Sequence, residues 1–235
     1  MDISRKMEVE KLKHEKKDWF DKDVLHILNG QVIYEEFNEN RLMGDADYAP
    51  FNEAMCVNKT TERIFDAEFI NVRASGHHVS VNDYIQRVID PLESLFKKKQ
   101  QCIVLWFGED MFCQMNLLTL LAYLEQSGYK GQVFLNSFRE DEFKVRQTEL
   151  KLGHYHSVYQ EVLINHRKPA TELLPVMYQA IDIFLDMLKE DNAVVKFISK
   201  NKDLPTSELL KKLFERFPTI GYGDSQYLEL INRTR

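Results

Sequence analysis

Residues Cys102–Gly128 read CIVLWFGEDMFCQMNLLTLLAYLEQSG, and this stretch decides the fold. The unbroken apolar run from Cys102 to Phe107 predicts a buried strand. The apolar segment from Met111 to Gln126, closed by Gly128, predicts a buried helix. Four polar residues lie at the turn between them or soon after it: Glu109, Asp110, Gln114 and Asn116. Because ligands bind at the carboxyl ends of strands in open α/β sheets, this turn is a candidate ligand site.

Two similar strands flank this unit. Val24–Leu28 is a short apolar run closed by Asn29-Gly30, and Gln132–Asn136 follows the helix. A succession of strand, helix and strand, with nearly continuous apolar strands, predicts parallel pairing with both faces of the sheet covered. We therefore expect Leu25–Leu28 and Ile103–Phe107 to be neighbouring parallel strands.

Helical patterns account for much of the remaining chain. A helix from Gln31 to Asn40 follows the first strand, and a polar loop containing Gly44, Asp45, Asp47 and Pro50 comes next. Ser80-Val81-Asn82-Asp83 is a capping box that begins another helix. Asp90-Pro91 predicts a break, after which a second helical piece runs to Lys97-Lys98-Lys99. Beyond Ser137 the predicted helices are Glu142–Leu152, Tyr155–Asn165, Leu174–Leu188, Ala193–Lys200, Ser207–Phe217 and Ser225–Asn232.

These elements predict an α/β fold, with an open, mainly parallel sheet flanked by helices and followed by a helical C-terminal part. We predict a charged N-terminal extension over residues 1–22, an α/β domain over residues 23–138 and a helical C-terminal domain over residues 139–235.

The composition is typical of a soluble globular protein, because 44% of the 235 residues are hydrophobic and 29% are charged. No apolar run approaches the roughly 20 residues of a membrane-spanning helix, and the N-terminus lacks the apolar core of a signal peptide. We therefore expect a cytoplasmic protein with no membrane partner. Three cysteines, Cys56, Cys102 and Cys113, without close pair spacing favour reduced thiols over a disulfide framework or a zinc site.

The charge distribution disfavours duplex DNA as a partner. The net charge is −6, and residues 172–235 contain nine basic and ten acidic side chains. Phosphate neutralisation supplies most of the non-specific affinity for DNA, so a region with balanced charge lacks the usual driving force. The predicted C-terminal helices fit a packing or partner-docking role better than a DNA-binding one.

Several residues have both a structural and a functional interpretation. His26 lies inside an apolar strand, where a histidine is either a core residue or a catalyst. Asn29-Gly30 forms either a simple turn or a place where the backbone approaches a ligand closely. Glu109 and Asp110 either cap the helix or bind a ligand. Gln114 and Asn116, in an otherwise apolar helix, need a buried polar network or a ligand contact.

Recognised catalytic and cofactor motifs are missing from the chain. Neither phosphate-binding glycine pattern occurs at a strand–helix junction, and no G-x-S-x-G elbow is present. The pairs His77-His78 and His154-x-His156 lack further ligands at a recognisable spacing, which favours surface or structural roles and predicts no metal site. The sequence identifies no cofactor.

Five segments resemble one bacterial family, the domain of unknown function family 1835. They are LHILNG at 25–30, FNEAMC at 51–56, the stretch Phe69–Arg73, LWFGEDMFCQMNLL at 105–118 and FPTIGYGDSQYLELI at 217–231. The resemblance covers nearly the whole chain, and the fourth segment is the most specific. It implies a fold and a polar site formed by His26, Asn29, Gly30, Glu53, Arg73, Trp106, Asp110 and Gln114.

The chain departs from the family pattern at several positions. Gln31 stands where the family has Asp, Asn52 where it has Arg, Val57-Asn58 where it has Glu-Gly, and Gly108 where it has Glu. Glu109 is adjacent to this last position and is a candidate substitute for the missing acid.

Two functional hypotheses remain open. In the first, a small-molecule or nucleotide-like ligand binds at the carboxyl ends of the parallel strands, with Glu53, Arg73 and Asp110 as the polar core and enzymatic activity left open. In the second, the chain is an interaction or transcription-regulatory protein whose helical C-terminal part docks a protein partner or a second copy. The first hypothesis is favoured if four side chains converge in an apolar-walled pocket, those of Asn29, Glu53, Arg73 and Asp110. The second is favoured if these side chains lie apart and their hydrogen bonds are all made within the protein.

Overall fold

The computed structural model describes residues 7–12, 23–97, 100–138 and 144–234. Its centre is a five-stranded sheet in the order β2-β1-β3-β4-β5, in which the first three pairings are parallel and the last is antiparallel. The strands are β1 Val24–Leu28, β2 Asp47–Pro50, β3 Cys102–Gly108, β4 Gln132–Phe138 and β5 Val145–Glu149. The predicted α/β class, with a mainly parallel sheet flanked by helices, is confirmed.

The predicted neighbours β1 and β3 pair in parallel over the whole of β1, from Val24 opposite Cys102 to Leu28 opposite Trp106. Every residue of both strands is buried. Continuous burial is the reason that these strands lack the alternation of apolar and polar residues seen in a half-exposed sheet.

The helices are α1 (residues 7–12), α2 Gln31–Glu39, α3 Ala67–Gly76, α4 Val81–Tyr84, α5 Glu93–Phe96, α6 Met111–Gln126, α7 Tyr155–Tyr159, α8 Pro175–Met187, α9 Ala193–Lys200, α10 Thr206–Arg216 and α11 Asp224–Thr234. Turns of π-helix extend α4 and α7 at Ile85–Ile89 and Gln160–Ile164. Turns of 3₁₀-helix lie at Asp90–Leu92 and Pro218–Ile220. The break expected at Asp90-Pro91 is the first of these 3₁₀ turns, while the end predicted at Lys98-Lys99 falls outside the described residues. Within the described ranges, no helix combines the length and apolar character needed to cross a lipid bilayer.

Each face of the sheet packs against its own apolar cluster. Leu25 and Ile27 join the larger cluster, which contains most of α6. Leu28 and Trp106 point to the opposite face, where Phe37 of α2 packs on them. Alternate residues of a strand point to opposite faces, so β1 and β3 contribute to both clusters.

Two predicted segments are corrected by the sheet. The segment predicted as a helix at Glu142–Leu152 contains β5, which pairs with β4 from Phe134 opposite Glu149 to Phe138 opposite Val145. The polar loop predicted around Asp47 and Pro50 contains β2, which pairs with β1. Both are short edge strands whose backbone hydrogen bonds come from a distant partner, and this partner overrides the weak local preference. The sheet therefore extends past residue 138, where the sequence places the end of the α/β domain.

A carboxylate at the end of α6 fixes the start of α7. Glu125 accepts hydrogen bonds from four successive backbone N–H groups, those of Gly153, His154, Tyr155 and His156. Burial by itself raises the pKa of the Glu125 carboxyl, but these four donors outweigh it and lower the pKa. The contact ties the helices that follow β5 to the α/β core.

We predict that Glu125→Gln lowers the free energy of unfolding by about 1–2 kcal/mol at pH 7, because a charged acceptor of several N–H groups becomes neutral. Since the pKa is lowered in the folded state, the stabilisation is present above the ordinary carboxyl pKa of about 4.3 and is lost as the pH falls through the folded-state value. Urea unfolding at pH 7 and pH 3 measures both effects. The exposed Glu190→Gln is the control, and equal losses in the two variants at pH 7 would contradict the prediction.

Candidate functional site

An open cleft of about 410 Å³ lies at the carboxyl ends of β1 and β2. Its apolar walls are Phe51, Val79, Val88 and Phe112, and its polar side chains are Asn29, Asn52, Glu53, His77, Tyr84 and Arg87. The chain leaves β1 toward one edge of the sheet and leaves β3 toward the other. Such a divergence opens a crevice beyond the strand ends, which is where doubly wound sheets bind ligands.

The turn after β1 forms one side of the cleft. The N–H of Asn29 donates to the carbonyl of Trp106 at 3.2 Å, which carries the β1–β3 ladder one residue further. Gly30 has a φ of 101°, and, apart from Gly30 and its two chain neighbours, no described residue has an atom within 4 Å of the position that a Cβ would occupy. Gly30 is also the N-cap of α2, whose first turn has no side-chain cap. The α2 N-terminus therefore lies beside open space.

Arg73 organises the long segment between β2 and α3. Its five N–H donors bind both oxygens of Glu53, at 3.1 and 2.7 Å, and the carbonyls of Ala54, Val57 and Lys59, at 2.7–3.1 Å. A guanidinium has five donors, so none is left for a ligand. Arg73 is completely buried, and its role is to position the segment that carries Glu53.

Glu53 is similarly saturated. Its carboxylate accepts from the N–H of Ala54, from Arg73, from the ring of His77 and from the hydroxyl of Tyr84. Burial raises the pKa of this carboxyl, but the hydrogen bond from His77 and the charge and hydrogen bonds of Arg73 outweigh burial and hold the pKa well below its usual range. Burial and the neighbouring Glu53 charge raise the pKa of Tyr84 far above its usual value, so the hydroxyl remains a donor.

His77, Tyr84 and Arg87 are polar cleft residues that the sequence patterns missed. For His77 the reason is that the pair His77-His78 favoured a surface or structural role. His77 is the C-cap of α3, and its N–H donates to the carbonyl of Arg73 at 3.0 Å. Its Nε2 lies 2.7 Å from Glu53 Oε1, and its ring stacks on Tyr84 at a centroid distance of 6.3 Å. The spacing of four residues from Arg73 was the available signal, since residues four apart share a helix face.

Asn116 joins the turns after β1 and β2. Its Nδ2 donates to Asn29 Oδ1 at 2.9 Å and to the carbonyl of Glu53 at 2.6 Å, while its Oδ1 accepts from the N–H of Met55 at 2.9 Å. Asn29 Nδ2 in turn contacts Cys113 Sγ at 2.9 Å. A buried polar network from α6 thus fixes both loops that border the cleft.

The remaining residues of the predicted site lie outside the cleft lining. Asp110 is the N-cap of α6 and accepts from the N–H of Cys113 at 2.8 Å, with Gly221 of the C-terminal segment packed closely against its carboxylate. Gln114 donates to the carbonyl of Gly108 at 2.7 Å, and its buried Oε1 has no hydrogen-bond partner among the described residues. Glu109 is half-buried at the same turn.

His26 and Trp106 lie on the α2 face of the sheet. Trp106 Nε1 donates to His26 Nδ1 at 3.0 Å, and both side chains are buried. His26 also stacks on Tyr48, with 5.5 Å between the ring centroids. The expected convergence of Asn29, Glu53, Arg73 and Asp110 is therefore met only in part. Asn29, Gly30 and Glu53 line the cleft, Arg73 and Asn116 lie directly behind it, and Asp110 lies outside its lining. His26 and Trp106 are in the core.

No group of three or more His, Cys, Asp or Glu side chains within the described ranges is arranged to hold a metal ion. Comparisons of the chain with protein families, with curated proteins and with solved structures find no match. The resemblance to the domain of unknown function family 1835 therefore stays a hypothesis carried by the sequence segments alone.

We predict that Arg73→Met lowers the free energy of unfolding by about 3–5 kcal/mol, because it leaves the buried Glu53 carboxylate without its charged partner. Arg63→Met is the matched control, since 82% of the Arg63 side chain is exposed. Urea unfolding of the two variants measures the difference. Equal midpoints for Arg73→Met and wild type would show that the pair does not organise the segment.

Proposed function

We propose that this protein binds a small molecule with an anionic group, of the nucleotide-like class, in the cleft at the carboxyl ends of β1 and β2. The single observation that carries the proposal is the placement of an open, mostly apolar cleft of about 410 Å³ beside the N-terminus of α2. A cleft of this size accommodates a small ligand, and pockets with apolar walls and a few convergent polar groups are the usual ligand sites of proteins.

The polar groups that border the cleft support an anionic ligand. Arg87 is exposed at the rim, and the uncapped first turn of α2 supplies the positive end of a helix dipole. Asn52 lies between them, donating from Nδ2 to Gln31 Oε1 at 2.9 Å and to the Arg87 carbonyl at 3.2 Å. The Glu53 charge is neutralised by Arg73, so the nearest buried carboxylate does not repel an anion strongly.

The apolar walls support a ligand with a flat or apolar body. Phe51 and Phe112 are the aromatic residues of the lining, and Val79 and Val88 complete the apolar surface. A nucleotide combines these features, because its base suits the apolar wall and its phosphate suits Arg87 and the α2 N-terminus.

A thermal-shift series tests the proposal with AMP, ADP, NAD and FMN, with adenosine and inorganic phosphate as partial ligands. A ligand present at 100 times its Kd stabilises the folded state by about 2.7 kcal/mol, which raises the Tm measurably. We predict that Arg87→Ala weakens the binding of the anionic ligand by about tenfold, through loss of a cation worth about 1.4 kcal/mol. The exposed Arg216→Ala on α10 is the control and leaves binding unchanged.

Two results would count against the proposal. One is the absence of any shift at millimolar concentrations of all six compounds. The other is a shift that Arg87→Ala and Arg216→Ala reduce equally, since that result places the ligand outside the cleft.

The second candidate function is docking of a protein partner by the helical C-terminal part. A second cavity, of about 580 Å³, lies between α8, α9 and the 3₁₀ turn at Pro218–Ile220. Ile183, Met187 and Phe217 give it an apolar lining, to which Asp182 and Asp186 add carboxylates. Its position outside the sheet favours an interaction role, and binding of a partner here is compatible with a ligand in the first cleft.

We predict that the protein does not bind duplex DNA tightly at physiological salt, because lysines of the C-terminal helices pair with acids on the same surface. Lys196 lies 2.8 Å from Asp191, Lys211 lies 4.0 Å from Glu215 and Lys212 lies 3.6 Å from Glu208. A gel-shift titration across a salt series measures the affinity. Sub-micromolar binding that weakens steeply with salt, and that is lost in the double variant Lys211→Glu/Lys212→Glu, would contradict this prediction. It would favour the hypothesis of a transcription-regulatory protein.

A further inference from the structure

His77 differs from the other members of the polar cluster in the cleft. Glu53 and Arg73 are saturated by protein groups, and Tyr84 donates its hydroxyl to Glu53. Nδ1 of His77 has no hydrogen-bond partner among the described residues, and 27% of the side chain is exposed. Because His77 lines the cleft and its ring contacts to protein groups involve Nε2, Nδ1 is the ring nitrogen left for an occupant of the cleft.

The neighbours of Nε2 determine the tautomer of the neutral ring. Nε2 lies 2.7 Å from Glu53 Oε1 and 3.0 Å from Arg73 Nη2. The two hydrogens of Arg73 Nη2 are directed to Glu53 Oε1, at 2.7 Å, and to the carbonyl of Ala54, at 3.0 Å. Ionised Glu53 only accepts hydrogen bonds, so Nε2 must carry the ring hydrogen and donate it to Glu53. Nδ1 then has the unshared electron pair.

We infer that His77 is the general base of the cleft and that its Nδ1 removes a proton from a hydroxyl group or a water molecule held beside the bound ligand. The inference rests on the proposed ligand site. In this step the O–H bond breaks, an Nδ1–H bond forms, and the electron pair of the broken bond stays on oxygen as the nucleophile. Glu53 is the positioning residue, because its carboxylate accepts the Nε2 hydrogen and so fixes the ring.

The surroundings of the pair keep this geometry rigid. Arg73 donates hydrogen bonds to both oxygens of Glu53. Tyr84 donates to the same carboxylate, and its ring stacks on the His77 ring at an interplanar angle of 16°. An oriented, carboxylate-bonded imidazole of this kind has its electron-rich nitrogen aimed consistently, which is a requirement of general-base catalysis.

The first measurement uses the wild-type chain. Long-range ¹H–¹⁵N NMR identifies the tautomer of each histidine ring, and we expect neutral His77 to carry hydrogen on Nε2 alone. Carbethoxylation by diethyl pyrocarbonate, mapped by peptide mass spectrometry, measures the reactivity of unprotonated ring nitrogens. We expect His77 to react at least as fast as the exposed neighbour His78, although His77 is the more buried of the two.

The second measurement removes the carboxylate. In Glu53→Gln we expect carbethoxylation of His77 to slow at least about threefold relative to His78 in the same molecule. The buried His26 reports on folding, because it reacts only if the variant opens. If His26 becomes reactive in Glu53→Gln, the variant has opened. The role of His77 is then judged from the tautomer and the reactivity of the wild-type chain.

The outcomes separate this inference from the proposed ligand site. Hydrogen on Nδ1, or a His77 that reacts far more slowly than His78 in the wild type, would overturn the role of His77 even if nucleotides raise the Tm. A reactive His77 in a protein that none of the six compounds stabilises would overturn the nucleotide-like ligand and leave the reactive base in place. Protection of His77, and not of His78, by the stabilising ligand is the result expected if both hold.

Discussion

The buried pair of Glu53 and Arg73 is the interaction on which the cleft depends. Two charges removed from water are tolerated only when nearly all of their hydrogen-bonding capacity is used, and here carbonyls of the segment after β2 use the rest of Arg73. The segment between β2 and α3 has no regular secondary structure of its own, so this guanidinium takes the place of a ladder of backbone hydrogen bonds. The same contacts fix His77 and Tyr84 at the cleft wall.

The sheet and the cleft are connected through α6. Asn116 reaches from the middle of an apolar helix to the turns that follow two different strands, which aligns Asn29 with Glu53. Burial of a polar side chain costs free energy unless the side chain is hydrogen-bonded, so polar groups in a core are usually members of a fully hydrogen-bonded network. Asn116, which stands out as polar in the sequence of α6, is therefore part of the support for the cleft and not of its contact surface.

The sequence predicts the parts of the fold that are dictated by continuous apolar runs. β1, β3 and α6 follow directly from such runs, and the pairing of β1 with β3 follows from the usual connections of parallel strands. β2 and β5 have no such run, since DYAP and VRQTE become strands only through their neighbours. Asn29 was found as a candidate site residue from the turn that closes an apolar run, and Glu53 only from the resemblance of residues 51–56 to a family. The contact of His77 with Glu53 depends on the return of a long irregular segment that no local pattern describes.

The two edge strands also affect the association of this protein with other chains. β2 is four residues long and ends at Pro50, which has no backbone N–H to offer a further strand. β5 contains no fully buried residue, and the charged residues Arg146 and Glu149 lie within it. Short, proline-containing or charged edges discourage the addition of a strand from another chain. Growth of the sheet into fibrils or strand-swapped assemblies is thereby discouraged.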